Sequence, residues 1–190
     1  IKAGLDNVTQ KNLIDVLEAS DTDKMIKDCV EDGSKREFLE SSSGELKDVA
    51  QTSGKKLTWA EVLQRFKRGN DFNAKAKNEQ WYNFHEINLA NGKRLDSYDP
   101  IKGEIVSRKA TDLSVIQKAT FENYLNELKG KYAPGTMIRS NKYPELDGQV
   151  LQGKLILEIP ASNQSFSSIE EYINLAKSSQ YNIEIRFKPE

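Results

Sequence analysis

Three polar residues follow one another at intervals that two adjacent β-strands would bring together: Asp96 in KRLDSYD, then Ser107 and Lys109 in EIVSRKAT. Side chains alternate across a strand, so Ser107 and Lys109 share a face with Ile105, while Glu104, Val106 and Arg108 share the other. Lys109 and Ser107 can then converge with Asp96 on one site, and Glu104 points away from it. An acid beside a lysine suits phosphodiester hydrolysis, which uses a divalent ion to polarise the phosphoryl oxygens and acidify a water, plus a cation to offset developing charge. Asp96 is the candidate metal ligand, Lys109 the cation, and Ser107 a support for the ligand shell. One carboxylate rarely holds a metal alone, and Glu86, across the Asn91-Gly92 turn, is the second candidate. A two-residue hairpin loop would set Glu86 opposite Ser97 and Ile87 opposite Asp96, turning the two acids to different faces. A bulge or longer loop would bring them together; otherwise Asp71 or Glu79, upstream on a helix, must serve. Oxygen ligands with at most one histidine leave Zn²⁺, Mg²⁺ and Mn²⁺ all open. On residue types alone, the set also reads as ordinary exposed strand positions, which is the commoner case.

The elements that must position these residues show in the periodicity. Residues 7–19 and 21–32 carry short helical patterns, and the Ser/Gly-rich tract 41–56 marks a boundary. The organisation expected is an N-terminal helical segment over 1–56 and a main domain over 57–190. Thr58 with Glu61 forms a capping box ahead of a helix bearing Trp59, Val62, Leu63 and Phe66, expected to stop before Gly69. From residue 84 the period shortens: FHEIN and KRLDSYD flank Asn-Gly as a hairpin, and GEIVSRKAT follows the turn at Asp99-Pro100 and Gly103. A helix is predicted over Thr111–Lys131, then a buried strand GKLILEIP, a helix capped by Ser167 and Glu170, and a closing strand YNIEIRFK. The order implies an α/β fold with mixed strand directions.

Composition narrows the chemistry. With one cysteine, Cys29, there is no internal disulfide and no multi-cysteine zinc site, and Cys29 reads as a small core residue. The single histidine, His85, excludes two-histidine ribonuclease chemistry and reads as structural rather than as a metal ligand or base. No apolar run approaches the roughly 18 residues of a membrane span, and IKAGLDNVTQ has no signal-peptide pattern. The net charge of -1 hides an asymmetry: residues 54–77 hold seven Lys or Arg against two acids, a balance suited to phosphate or to a solvated helix face. Arg94 and Arg108 are candidates for phosphate contact or for sheet-edge charge. Trp59, Trp81, Tyr82, Tyr98 and Tyr124 read as packing residues, with base stacking a further use for Trp81 or Tyr82.

The segment NGKRLDSYDPIKGEIVSRKATDL, followed by ATFENYLNELKGKYAPGTMI and LQGKLILEIP, resembles the C-terminal nuclease domains of contact-dependent growth-inhibition and related polymorphic toxin proteins, members of the PD-(D/E)xK superfamily. The likeness runs roughly from Gly69 to Lys188. It implies a restriction-endonuclease-like mixed sheet flanked by helices, with the family's Glu, Asp and Ser-x-Lys at Glu86, Asp96, Ser107 and Lys109. It also implies delivery from a donor bacterium as part of a larger secreted or cell-surface protein, cleavage of nucleic acid in the recipient cytoplasm, and neutralisation by a cognate immunity protein. Residues 1–56 would then be a segment for entering the target cell, a connector, or a decoration of the nuclease. The group includes both DNases and transfer-RNA nucleases; short loops and a modest basic patch favour DNA. A non-catalytic binding or adhesion fragment that presents a hairpin edge to a partner is the alternative from another class.

Overall fold

The computed structural model describes residues 59–190. The helical patterns of 7–32, Cys29, the tract 41–56 and the expected cap Thr58 lie outside the described residues, and so does the segment 1–56 as a whole. The elements are α1 (Trp59–Asn78), β1 (Phe84–Asn88), β2 (Arg94–Asp99), β3 (Glu104–Arg108), α2 (Lys118–Lys131), β4 (Lys154–Pro160), a 3-10 turn (Ala161–Ser165), α3 (Ile169–Lys177) and β5 (Ile183–Lys188). The strands make one sheet in the order β1-β2-β3-β4-β5, antiparallel from β1 to β3 and parallel from β3 to β5. Parallel neighbours need long crossovers, and α2 and α3 lie in the two that this sheet requires. The fold is therefore the mixed α/β sheet flanked by helices that the sequence periods imply.

Three element boundaries differ from expectation. α1 does not stop before Gly69 but runs through it to Asn78. Phe72 and Ala76 are buried at a spacing of four beyond it, and that burial outweighs the roughly 1 kcal/mol a helical glycine costs. α2 begins at Lys118 rather than Thr111. The buried Asn163 amide accepts from the Leu113 N–H at 2.7 Å and donates to the Thr111 carbonyl at 2.9 Å, which holds this backbone outside the helix. α3 begins at Ile169 with no side-chain cap bond; Glu170 and Glu171 in its first turn and Lys177 in its last complement the helix dipole instead.

The main core lies on the sheet face covered by α2 and α3. Ile105, Leu155, Leu157, Ile159 and Ile183 pack there against Phe121, Leu125 and Leu128 of α2 and Ala176 of α3. Each buried Ile, Leu or Phe here contributes about 1.5–3 kcal/mol relative to exposure. The opposite face carries a small apolar cluster of Tyr82, Val106 and Ile156 with Trp81 against it, surrounded by paired charges. Two tight turns set the strand geometry. Asp99, 2% exposed, accepts the Ile101 and Lys102 N–H groups at 3.0 Å each, closing the β2–β3 turn that the Asp-Pro and Gly signals predict. At Gly153 the backbone has φ +120° and an added Cβ would stand 2.0 Å from the Gly103 carbonyl oxygen, so only glycine fits where β3 and β4 begin side by side.

Candidate active site at a fork in the sheet

The hairpin loop is longer than two residues. Asn88 pairs with Arg94, the Leu89 N–H donates to the Lys93 carbonyl at 2.8 Å, and Ala90, Asn91 and Gly92 make the turn, with Gly92 at φ +74°. The consequence is a register in which His85 pairs with Ser97 and Ile87 with Leu95, so Glu86 stands opposite Asp96. This is the outcome the longer-loop alternative allows, not the two-residue register with Glu86 opposite Ser97.

The alternation of side chains also slips at this position in both strands. Phe84 and Ile87 of β1, and Leu95 and Tyr98 of β2, all join the main core, although each pair is three residues apart rather than two. Glu86 and Asp96 are the residues that absorb the slip, and Glu86 does so with a left-handed φ of +56°. On the adjacent rung, His85 and Ser97 pair across the strands, and the Ser97 hydroxyl lies 2.7 Å from His85 Nδ1.

The ladder between β2 and β3 ends at the same level. Its last pair is Ser97 with Val106, yet β3 continues beside β4 through Arg108 paired with Glu158, and the Lys109 N–H donates to the Glu158 carbonyl at 2.9 Å. β2 and β3 therefore diverge, and the side chain of Asp96 fills the fork: its Oδ2 accepts the Arg108 backbone N–H at 2.7 Å, taking the place of a ladder carbonyl. Among the described residues its Oδ1 takes one long 3.4 Å contact, from the Asn73 amide of α1. Glu86, across from it, faces Lys77 at 3.4 Å and Lys142 at 3.6 Å. Burial opposes its ionisation, but Lys77, Arg94 and Lys142 together outweigh this and hold its carboxyl below the usual range.

Ser107 is buried on β3 and pairs with Leu157 of β4. Lys109, the next residue along that face, is engaged from α2: its ammonium is 3.1 Å from Glu127 and 5.3 Å from the Tyr124 ring centroid. Asp96 and Glu86 are thus met by α1 side chains and Lys109 by α2 side chains, with the fork between them. Asp71 is exposed on α1, and Glu79 accepts the Trp81 indole N–H at 2.8 Å. Of the three candidate second acids, Glu86 is the one whose register position lies opposite Asp96.

Arg108 is neither a sheet-edge charge nor a phosphate contact. Its side chain is 1% exposed and its Nε lies 2.6 Å from Glu158, itself fully buried. It also donates to Ser97 Oγ at 2.8 Å and lies 5.7 Å and 5.5 Å from the Trp81 and Tyr82 rings. The Tyr82 hydroxyl donates to the other oxygen of Glu158 and accepts from Arg186 at 2.7 Å. Burial and the Glu158 charge push the Tyr82 phenol above its ordinary range, so it stays a donor. Glu104 pairs with Arg186 at 2.9 Å and with Lys154 on this face, away from Lys109, as its alternation demands. His85 is buried beside these charges; burial, with Arg108 nearby, lowers its pKa, in keeping with a structural neutral ring. Trp81 and Tyr82 serve here as packing residues, and Tyr98 lies in the main core.

Two residues of the site escape sequence reasoning. Asn73 sits in a basic, polar stretch with nothing to mark it. Glu127 shows only as a helical acid four residues before Lys131, which usually means a surface pair; here its side chain is 16% exposed.

The class these elements define is a mixed α/β domain with a forked sheet, an aspartate in the fork and a lysine at its far lip. No family model, curated protein or solved structure matches the chain.

Proposed function

We propose that this chain is a metal-dependent nuclease, the toxin domain of a larger secreted or cell-surface protein that acts in the cytoplasm of a neighbouring bacterium and is held in check by a cognate immunity protein. The single observation that supports it best is the fork: the antiparallel ladder gives way at Asp96, directly beside the strand that carries Ser107 and Lys109. There a carboxylate, not a ladder carbonyl, meets the end of β3, with a lysine as the next residue along the chain. The resemblance of the strand sequences to polymorphic-toxin nucleases supports the same assignment of Glu86, Asp96, Ser107 and Lys109.

The residues fit a hard divalent cation of the Mg²⁺ or Mn²⁺ kind, which takes one or two carboxylates and completes its shell with water and substrate phosphate. Among the described residues Asp96 Oδ1 has one long contact, and Glu86 holds the register position opposite Asp96. Among the described residues no three of His, Cys, Asp and Glu are gathered as ligands, and the one histidine is hydrogen-bonded to Ser97, so the set suits zinc less well. A bound ion supplies Lewis acidity at the phosphoryl group. The chain itself supplies the rest: Arg108 N–H and Asn73 orient the Asp96 carboxylate, and Lys109 offsets negative charge developing on the phosphate. Lys77 and Lys142 flank Glu86 and would meet the substrate backbone. DNA is the favoured substrate and transfer RNA the alternative. Among the described residues no helix is long and apolar enough to cross a membrane.

The test is incubation of purified chain, free of immunity protein, with supercoiled plasmid and with total transfer RNA across Mg²⁺, Mn²⁺ and Zn²⁺. Metal-dependent plasmid nicking supports the reading as stated, and cleavage of transfer RNA alone keeps the site and moves the substrate. No cleavage of either would refute the nuclease reading in favour of a binding fragment.

A further inference from the structure

A carboxylate that is largely withdrawn from water between two lysines calls for a reason, because burying it costs more than an exposed ion pair returns. Glu127 is such a group. On α2, its side chain is 16% exposed, 3.1 Å from the Lys109 ammonium and paired on its other oxygen with Lys131. Burial disfavours its charge, but Lys109 and Lys131 more than offset this and hold its carboxyl below the usual range. The same end of α2 is docked on β2: the Tyr132 hydroxyl donates to the Arg94 carbonyl at 2.9 Å, two residues before Asp96. The helix that carries Glu127 is thereby tied to both lips of the fork, to β2 through Tyr132 and to the end of β3 through Lys109.

We propose that Glu127 is a positioning residue that holds Lys109 at the fork for phosphate, an inference that rests on the nuclease reading above. A free lysine stem carries about 2 kcal/mol of rotamer entropy, and fixing the ammonium before substrate arrives removes that cost from the reaction. The Tyr124 ring restricts it from a second direction.

The test is steady-state cleavage of whichever substrate the wild-type chain cuts, with Glu127→Gln, Glu127→Asp, Lys109→Met and the Lys109→Met/Glu127→Gln double variant. Gln preserves shape and removes charge, whereas Asp preserves charge and removes a methylene. Positioning by charge predicts that kcat falls about tenfold or more in Glu127→Gln with KM within about twofold. It further predicts that Glu127→Asp retains more activity than Glu127→Gln, and that the double variant is no worse than Lys109→Met alone. A purely structural Glu127 gives the opposite order, with Gln the milder change and losses that multiply in the double variant. An active wild type with an unaffected Glu127→Gln, or with Asp worse than Gln, overturns the inference alone; a wild type that cleaves neither substrate overturns the nuclease reading and takes this inference with it.

Discussion

Replacing Glu158 with alanine is expected to be among the most destabilising single changes in the domain. The carboxylate is fully buried and lies 2.6 Å from Arg108 Nε, whose side chain is 1% exposed, so its removal strands a guanidinium in a dry interior. Breaking one partner out of a buried pair costs about 3–5 kcal/mol, against a total of about 5–15 kcal/mol for a typical domain. Arg108 keeps the Ser97 hydroxyl at 2.8 Å and a 3.4 Å contact to Asn73, which places the expected loss nearer the lower figure. With a urea slope of about 2 kcal/mol/M, the midpoint should fall by about 1.5 M. The double change Arg108→Met with Glu158→Leu removes both charges and should recover most of that loss, because a buried pair returns little more than its desolvation cost. Urea denaturation followed by tryptophan fluorescence reads both. A loss below about 1 kcal/mol in Glu158→Ala, or a double variant as unstable as the two single changes summed, would refute the reasoning that this charge is paired and buried.

Gly153→Ala should cost about 2 kcal/mol or more in the same assay, since the new Cβ would meet the Gly103 carbonyl oxygen at 2.0 Å in a backbone already at φ +120°; a neutral result would mean that β3 and β4 do not start in this contact. His85 provides a pH signature, being the one histidine of the chain. Burial and Arg108 lower its folded pKa, so the unfolded chain binds the proton first: stability is full above about pH 6.5 and declines below it until the folded value is reached. His85→Gln should flatten that segment of the stability curve, and an unchanged slope would count against a buried neutral ring. Glu86→Gln should lower metal-dependent cleavage about tenfold or more and raise the metal requirement while shifting stability by less than about 1 kcal/mol, as its ion pairs are half exposed; full activity would make Glu86 a partner of Lys77 and Lys142 only.

The sequence carried the element order well, because each period is strong: alternating YNIEIRFK, the apolar run of KLILEIP and the Asp99 turn all fall where the structure has them. Boundaries set by distant contacts were not legible. The unwinding of 111–117 depends on Asn163, about fifty residues later, and the passage of α1 through Gly69 depends on burial of Phe72 and Ala76. Asp96, Ser107 and Lys109 could be placed on neighbouring strands by alternation alone. What alternation could not yield is its own failure at Glu86 and Asp96, where a three-residue loop and a left-handed residue change the register and the facing together. Arg108 misleads for a related reason: a charged residue near a strand end reads as exposed, and only β4 running beside it shows that Glu158 is there to bury it. Glu127 has no sequence signal beyond a helical spacing, because its partner Lys109 belongs to another element.

The most direct test of the account is a paired measurement on wild type and Asp96→Ala: Mn²⁺ binding by calorimetry and cleavage of plasmid and transfer RNA in the same buffer. Wild type should bind the ion and cut at least one substrate, and Asp96→Ala should lose both while its urea midpoint stays within the range of a folded domain. Cleavage undiminished by Asp96→Ala would contradict it, because the aspartate in the fork would then have no part in the chemistry.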